Sequence, residues 1–220
     1  MELMGIEHAG VARHAAAPRI GLAAIICVVM NPRSDASNLS NQFLIAMPGM
    51  VDSSFAGSVI YVCEHSARGA LGLVINRPTD IVLKDLFERI ELPLEQPELA
   101  SQTVYYGGPV QTERGFVLHD PTDRAYASTL QVAGGLQMTT SKDVLEHISA
   151  DDGPKRFFVA LGYSGWSAGQ LEEEIARNGW LTVEADSSIV FDIAAEQRFD
   201  AAMSLMGISA MSLSNTAGHA

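Results

Sequence analysis

Apolar residues fall in short, unbroken blocks through the first half of the chain, and their spacing changes after Pro78. The blocks "QFLIAM" (Gln42 to Met47), "SVIYVC" (Ser58 to Cys63) and "ALGLVIN" (Ala70 to Asn76) have strand length and turn signals at their ends. "PGMVDSSF" turns the chain between the first two, and a Gly-containing loop joins the second and third as an antiparallel pair. Leu83, Leu86, Phe87 and Ile90 then share one helical face, which predicts a short amphipathic helix from Val82 to Ile90, stopped before Pro93.

The second half alternates the two kinds of pattern. "TVYYGGPV" and "RGFVLH" (Arg114 to His119) read as strands around a Gly-Gly-Pro turn, and "LQMTT" as a strand before a helix from Lys142 to Ile148 that Ser141 would cap. "RFFVALGY" is a buried strand running into a loop, "GYSGW". Ser167 and Gln170 stand in capping-box spacing and Asn178-Gly179 supplies a left-handed stop, so the next helix spans Ala168 to Arg177. "WLTVEA" and "SIVFDI" form a hairpin, and Phe199, Ala202, Met203 and Met206 mark a last helix. Adjacent strands are linked too briefly for parallel crossovers, so the fold class is α+β around a mainly antiparallel sheet.

The 220 residues are 47% hydrophobic and 18% charged, which suits one domain with a substantial core over residues 38–220. Residues 1–37 stand apart. Their run "IGLAAIICVVM" (Ile20 to Met30) is too short to span a bilayer, and the segment reads as a leader or an over-extended start without fixed structure, with Met30 as an alternative initiator. The formal charge of −12 repels phosphate backbones, and no cluster of Lys and Arg overrides it, which argues against direct nucleic-acid binding. Two cysteines, Cys27 and Cys63, make neither a disulfide framework nor a metal spacing, and a cytoplasmic location is the simpler reading.

Candidate chemistry is sparse. Glu64 and His65 follow a strand, so their side chains oppose each other unless a bulge intervenes; either they form an acid-base pair or they tie down a loop. Asn76 and Arg77 precede Pro78, which aims them off the strand end as turn anchors or site residues. Cys63 packs in the core or acts as a redox-sensitive thiol, for which it would need exposure and a low pKa. His65, His119 and His147 are isolated along the chain, so no metal site is expected, and no phosphate loop, nucleophile elbow or dinucleotide fingerprint occurs. In "GYSGW", Tyr163 and Trp166 either wall a ligand site beside a helix N-terminus or pin the loop to the core.

Taken together, "NLSNQFLIAMPGMVDSSFAGSVIYVCEHSARGALGLVINRP", "YYGGPV", "RGFVLH", "LGYSGWSAGQLEEEIARNGWL" and the closing "GHA" resemble the AlgH/YqgE family of bacterial proteins, from about Asn38 to the C-terminus. Ser164 and Ser167-Ala168 replace the Ala and Gly-Pro often found there. The resemblance implies a bifurcated, mainly antiparallel sheet folded into a pseudo-barrel with helices packed outside. It implies no cofactor and no catalytic residues; the family is broadly uncharacterised, and the name AlgH is associated with transcriptional regulation of alginate production without a defined biochemistry. It makes Glu64, His65, Asn76, Gly107, Gly108, Arg114, His119, Tyr163, Trp166, Gln170 and Glu172 the candidates for a shared surface cleft that engages a protein or small-molecule partner. The functional expectation is a binding protein, regulatory or accessory. The alternatives are a hydrolase or transferase that uses His65 or His119 with Glu64 or Glu172, and a redox-responsive module built on Cys63.

Overall fold

A computed structural model of the chain describes residues 38–207. The readings of the leader, Cys27, Met30 and the closing "GHA" lie outside these residues. In chain order the strands are β1 (Gln42–Ala46), β2 (Val59–Ser66), β3 (Gly69–Val74), β4 (Pro78–Val82), β5 (Thr103–Tyr106), β6 (Val110–His119), β7 (Thr129–Gln131), β8 (Gln137–Thr139), β9 (Phe157–Ser167) and β10 (Trp180–Glu184). The helices are α1 (Leu83–Arg89), α2 (Asp143–Ser149), α3 (Gln170–Ala176), α4 (Ser187–Phe191) and α5 (Arg198–Leu205).

The sheet runs β10-β1-β2-β3-β9-β6-β8-β7, with β5 attached to β9 and β4 to β5. Every pairing is antiparallel except that of β5 with β9. The long strand β9 makes the sheet bifurcate. Its first half pairs with β6, with β5 joining at Ala160 and Leu161, and its second half, Ser164 to Ser167, pairs with β3. The result is an α+β fold with a curled, half-barrel sheet, as the resemblance implies.

Both faces of this sheet are covered, which is why its strands read as unbroken apolar blocks. Phe43, Ile45, Tyr61, Leu73, Phe116 and Phe158 build an interior cluster common to the two halves of the sheet. Leu44, Ile60, Val62 and Val74 face the other way and pack with Trp166, Leu171 of α3 and Trp180. Val104, Val117 and Val159 likewise meet α1 and α2. Helices α4 and α5 add Ile189, Val190, Ala202 and Met203 to the common cluster. Arg198 of α5 is 4% exposed and donates to the carbonyls of Ile75 and Ile193 while stacking on Tyr105, which staples the helix to the sheet.

Three local expectations differ from the structure, and the strands β4 and β7 were not expected. "SIVFDI" contributes the helix α4 instead of a strand, because the Asp186 carboxylate accepts the Ser188 N–H at 2.9 Å and starts a helical turn. β10 pairs with β1 instead. Pro78 opens the strand β4, which pairs only with β5, so the missing N–H costs no ladder bond on its outer edge. "GYSGW" is not a loop: β9 continues through it to Ser167 because β3 offers a continuous partner, Gly69 to Gly72. Ser141 does not cap α2, since its hydroxyl is turned to the Asp143 carboxylate and Lys142 takes the cap position.

One buried group is left over. The Tyr126 hydroxyl finds no protein partner among the described residues, although the ring lies edge-on to His119 and packs with α2. Removing an unpaired buried hydroxyl lifts a desolvation cost, so Tyr126→Phe is expected to stabilise the fold by about 1 kcal/mol, read as a higher melting temperature. A lower one would show that the hydroxyl is satisfied in solution.

Candidate functional site

The residues to be placed begin with Glu64 and His65. Strand β2 pairs Val62 with Gly72 and then Glu64 with Leu71, so Cys63 is the extra residue of a β-bulge. The bulge resets the alternation. His65 comes opposite Ala70, itself opposite Trp166 of β9, and so faces α3, where its Nε2 lies 3.0 Å from Glu172 Oε1. The His65 side chain is only 6% exposed, and its Nδ1 accepts the Leu39 N–H at 3.3 Å. Both contacts together fit the neutral ring with its proton on Nε2. Glu172 is half-exposed and accepts the hydrogen bond from that N–H.

Glu64 sits opposite Leu71, a residue of the common interior cluster, and so faces away from His65. Burial raises its pKa above the ordinary 4.5, and the charge of Arg68 partly opposes the shift. The native state then binds more proton than the unfolded chain, so stability from this group is present below about pH 4.5 and is lost as pH rises. Glu64→Gln is therefore expected to melt higher than the parent at neutral pH, with the difference shrinking on acidification. Equal melting temperatures at both pH values would count against the shift.

The corner beside His65 is held by Glu174. Its Oε2 accepts the indole N–H of Trp166 at 2.9 Å and of Trp180 at 2.8 Å, and its Oε1 accepts from Gln170 at 2.9 Å. Gln170 in turn accepts the backbone N–H and the hydroxyl of Ser167, both at 3.1 Å. Phe55 stacks on Trp166 and meets Trp180 edge-on, which completes an aromatic trio. Trp166 is thus a core residue with its polar tip tied down. Glu174, Trp180, Phe55 and Leu39 were not singled out from sequence; the Gln170 to Glu174 spacing on α3 was the available signal.

The other candidates lie elsewhere. Asn76 accepts the Val59 N–H and donates to Gly57 O, while Arg77 donates to the carbonyls of Ser53 and Ala56, so "NRP" anchors the turn before β2. Gly107 and Gly108 lie against β9, where Gly107 O accepts from Val74 N–H and from the Ser164 hydroxyl. Tyr163 packs on Phe116, and Arg114 reaches Thr140 at 3.0 Å while lying over the same Phe116. His119 is wholly buried; its Nδ1–H donates to Asp120 O at 2.7 Å and its Nε2 accepts the Thr139 hydroxyl at 2.9 Å. Burial lowers its pKa, and the Asp120 carbonyl contact and charge partly oppose the shift. Of the eleven candidates, the structure brings His65, Trp166, Gln170 and Glu172 into one corner.

Cys63 has neither property that a redox switch requires. It is 2% exposed, and burial together with the adjacent Glu64 charge raises its thiol pKa, so the thiolate is disfavoured. Among the described residues, no three His, Cys, Asp or Glu side chains gather as metal ligands, and no helix is long and apolar enough to cross a membrane. A cavity of about 90 Å³ near the end of α2 is lined by none of the candidates.

Comparison with known proteins bears on the same elements. The AlgH-like family model matches residues 43–211, from the first strand to beyond α5. A UPF0301 protein of Paraburkholderia phymatum is 63% identical over 191 residues, covering 87% of this chain and 100% of that protein. The solution structure of the AlgH protein from Pseudomonas aeruginosa superposes with a TM-score of 0.71 at 46% identity, covering 86% of this chain and 99% of that one. A crystal structure from Corynebacterium diphtheriae, 20% identical with a TM-score of 0.59 over 79% of this chain and 88% of that one, shares the fold. Matched along nearly all of its described length in sequence and in structure, the chain belongs to the AlgH-like family of UPF0301 proteins.

Proposed function

We propose that this protein acts by binding, as a cytoplasmic regulatory or accessory factor that engages a protein or small-molecule partner, and not by turnover. The observation that carries the reading is that the groups needed for chemistry are already committed. His65 uses both ring nitrogens, on Leu39 and Glu172; His119 uses both in the core; Cys63 is enclosed. A general base needs a free lone pair within reach of a substrate. The surface best suited to a partner is the corner where α3 meets the β2–β3 hairpin, with Ser167, Gln170 and Glu172 exposed around the His65 contact.

The charge of −12 directs this reading away from nucleic acid, so any part in transcriptional regulation would run through a protein or small-molecule contact. Titration of the full chain with short duplex DNA at several salt concentrations tests this directly. The expected result is no complex tighter than micromolar, and a nanomolar, salt-dependent complex would overturn it. A second reading, a hydrolase or transferase using His65 with Glu172, has their 3.0 Å contact in its favour. It requires His65 Nδ1 to give up the Leu39 N–H and face a substrate.

A further inference from the structure

We infer that His65 is a proton-operated latch on the strap formed by Asn38 to Asn41, the segment through which the chain enters the sheet. His65 grips this strap twice. Its backbone N–H donates to the Ser40 hydroxyl at 2.9 Å, and its ring accepts the Leu39 N–H at Nδ1. The second grip exists only while Nδ1 carries a lone pair. A proton taken up there turns the acceptor into a donor that faces another donor, and the Leu39 bond is lost. The same proton makes the ring cationic against the Glu172 carboxylate at 3.0 Å, so the contact with α3 strengthens as the contact with the strap fails.

Among the described residues, these two contacts are the ring's hydrogen bonds. From α3 the facing titratable group is Glu172. From β3 and β9 the neighbours on this face are Ala70 and Trp166, and nothing in the strap itself titrates. On β2, Glu64 occupies the opposite face, and Arg68 follows in the hairpin turn. The rest of the strap does not depend on the ring: the Asn41 N–H donates to Val62 O, and Ala185 N–H donates to Asn41 O. Acid therefore loosens the strap at its Leu39 end, where the Leu39 side chain packs beside the Trp166 cluster.

Amide hydrogen exchange on the full chain tests this, followed as the pH is lowered until the ring nitrogen shifts report protonation of both nitrogens. After correction for intrinsic rates, protection at Leu39 is expected to fall about tenfold as the ring takes its proton, with Asn41 unchanged. In His65→Gln, whose amide does not titrate in this range, Leu39 protection should not vary with pH. Ring nitrogen shifts of the parent protein give an independent reading: at high pH Nδ1 must be the unprotonated nitrogen. A proton on Nδ1 there, flat Leu39 protection in the parent, or an equal fall in His65→Gln would each overturn the latch.

Discussion

Gly108→Ala is expected to destabilise the protein by roughly 3–5 kcal/mol, a range that single substitutions seldom reach. A Cβ at this position would stand 2.2 Å from the carbonyl carbon of Tyr163, 2.3 Å from its oxygen and 2.4 Å from Ser164 N. All three are backbone atoms of β9, at the point where the sheet divides, so none can swing aside as a side-chain tip would. The backbone φ of +152° adds strain for any L side chain. Against a total stability of roughly 5–15 kcal/mol, the variant is expected to melt about 10 °C lower or to accumulate insoluble. Gly115→Ala, on β6 and with nothing within 4 Å of the added carbon, should melt close to the parent. If the two variants melted alike, the close crossing of β9 would be wrong.

Replacing Glu174 by Ala is the other change with a large expected effect. Trp166 is 5% exposed and Trp180 3% exposed, and both indole N–H groups end on one carboxylate oxygen. Without it, two buried donors lose their acceptor and Gln170 loses its partner, at a combined cost of roughly 3 kcal/mol. Glu174→Gln keeps an acceptor oxygen for the indoles and is expected to cost less than about 1 kcal/mol. The chain has two tryptophans, both in this cluster, so their fluorescence reports on it directly. Emission should shift in Glu174→Ala and stay near that of the parent in Glu174→Gln. An unchanged spectrum in the alanine variant would mean that the carboxylate does not hold the rings.

Strand positions were legible wherever both faces of the sheet are covered, as in β1 and β3, because uniform burial leaves an unbroken apolar run. Periodicity failed where a tertiary partner overrode a local signal. The glycines of "GYSGW" read as a loop, yet β3 lies alongside and turns them into ladder residues. "SIVFDI" has strand composition, and the Asp186 cap makes it helical. The site was legible in part. His65, Trp166, Gln170 and Glu172 could be picked out as polar or aromatic groups near turns, but the contact between His65 and Glu172 spans 107 residues of sequence and depends on a bulge at Cys63. Glu174 was hidden in a run of three glutamates that reads as solvated helix surface. Asn76, Gly107, Gly108 and His119, which stand in the motifs that carry the resemblance, serve the sheet through their hydrogen bonds or their lack of a side chain.

The most direct test of a binding function is a thermal-shift screen of the full chain against metabolites, nucleotides and metal ions. It is run in parallel on Gln170→Ala and Glu172→Ala, and each stabilising compound is recovered afterwards for mass analysis. Binding at the α3 corner predicts a compound that raises the melting temperature of the parent, raises that of the variants less, and returns chemically unchanged. A compound returned as product at a rate that falls in Glu172→Ala would contradict the account and make the pair of His65 with Glu172 catalytic.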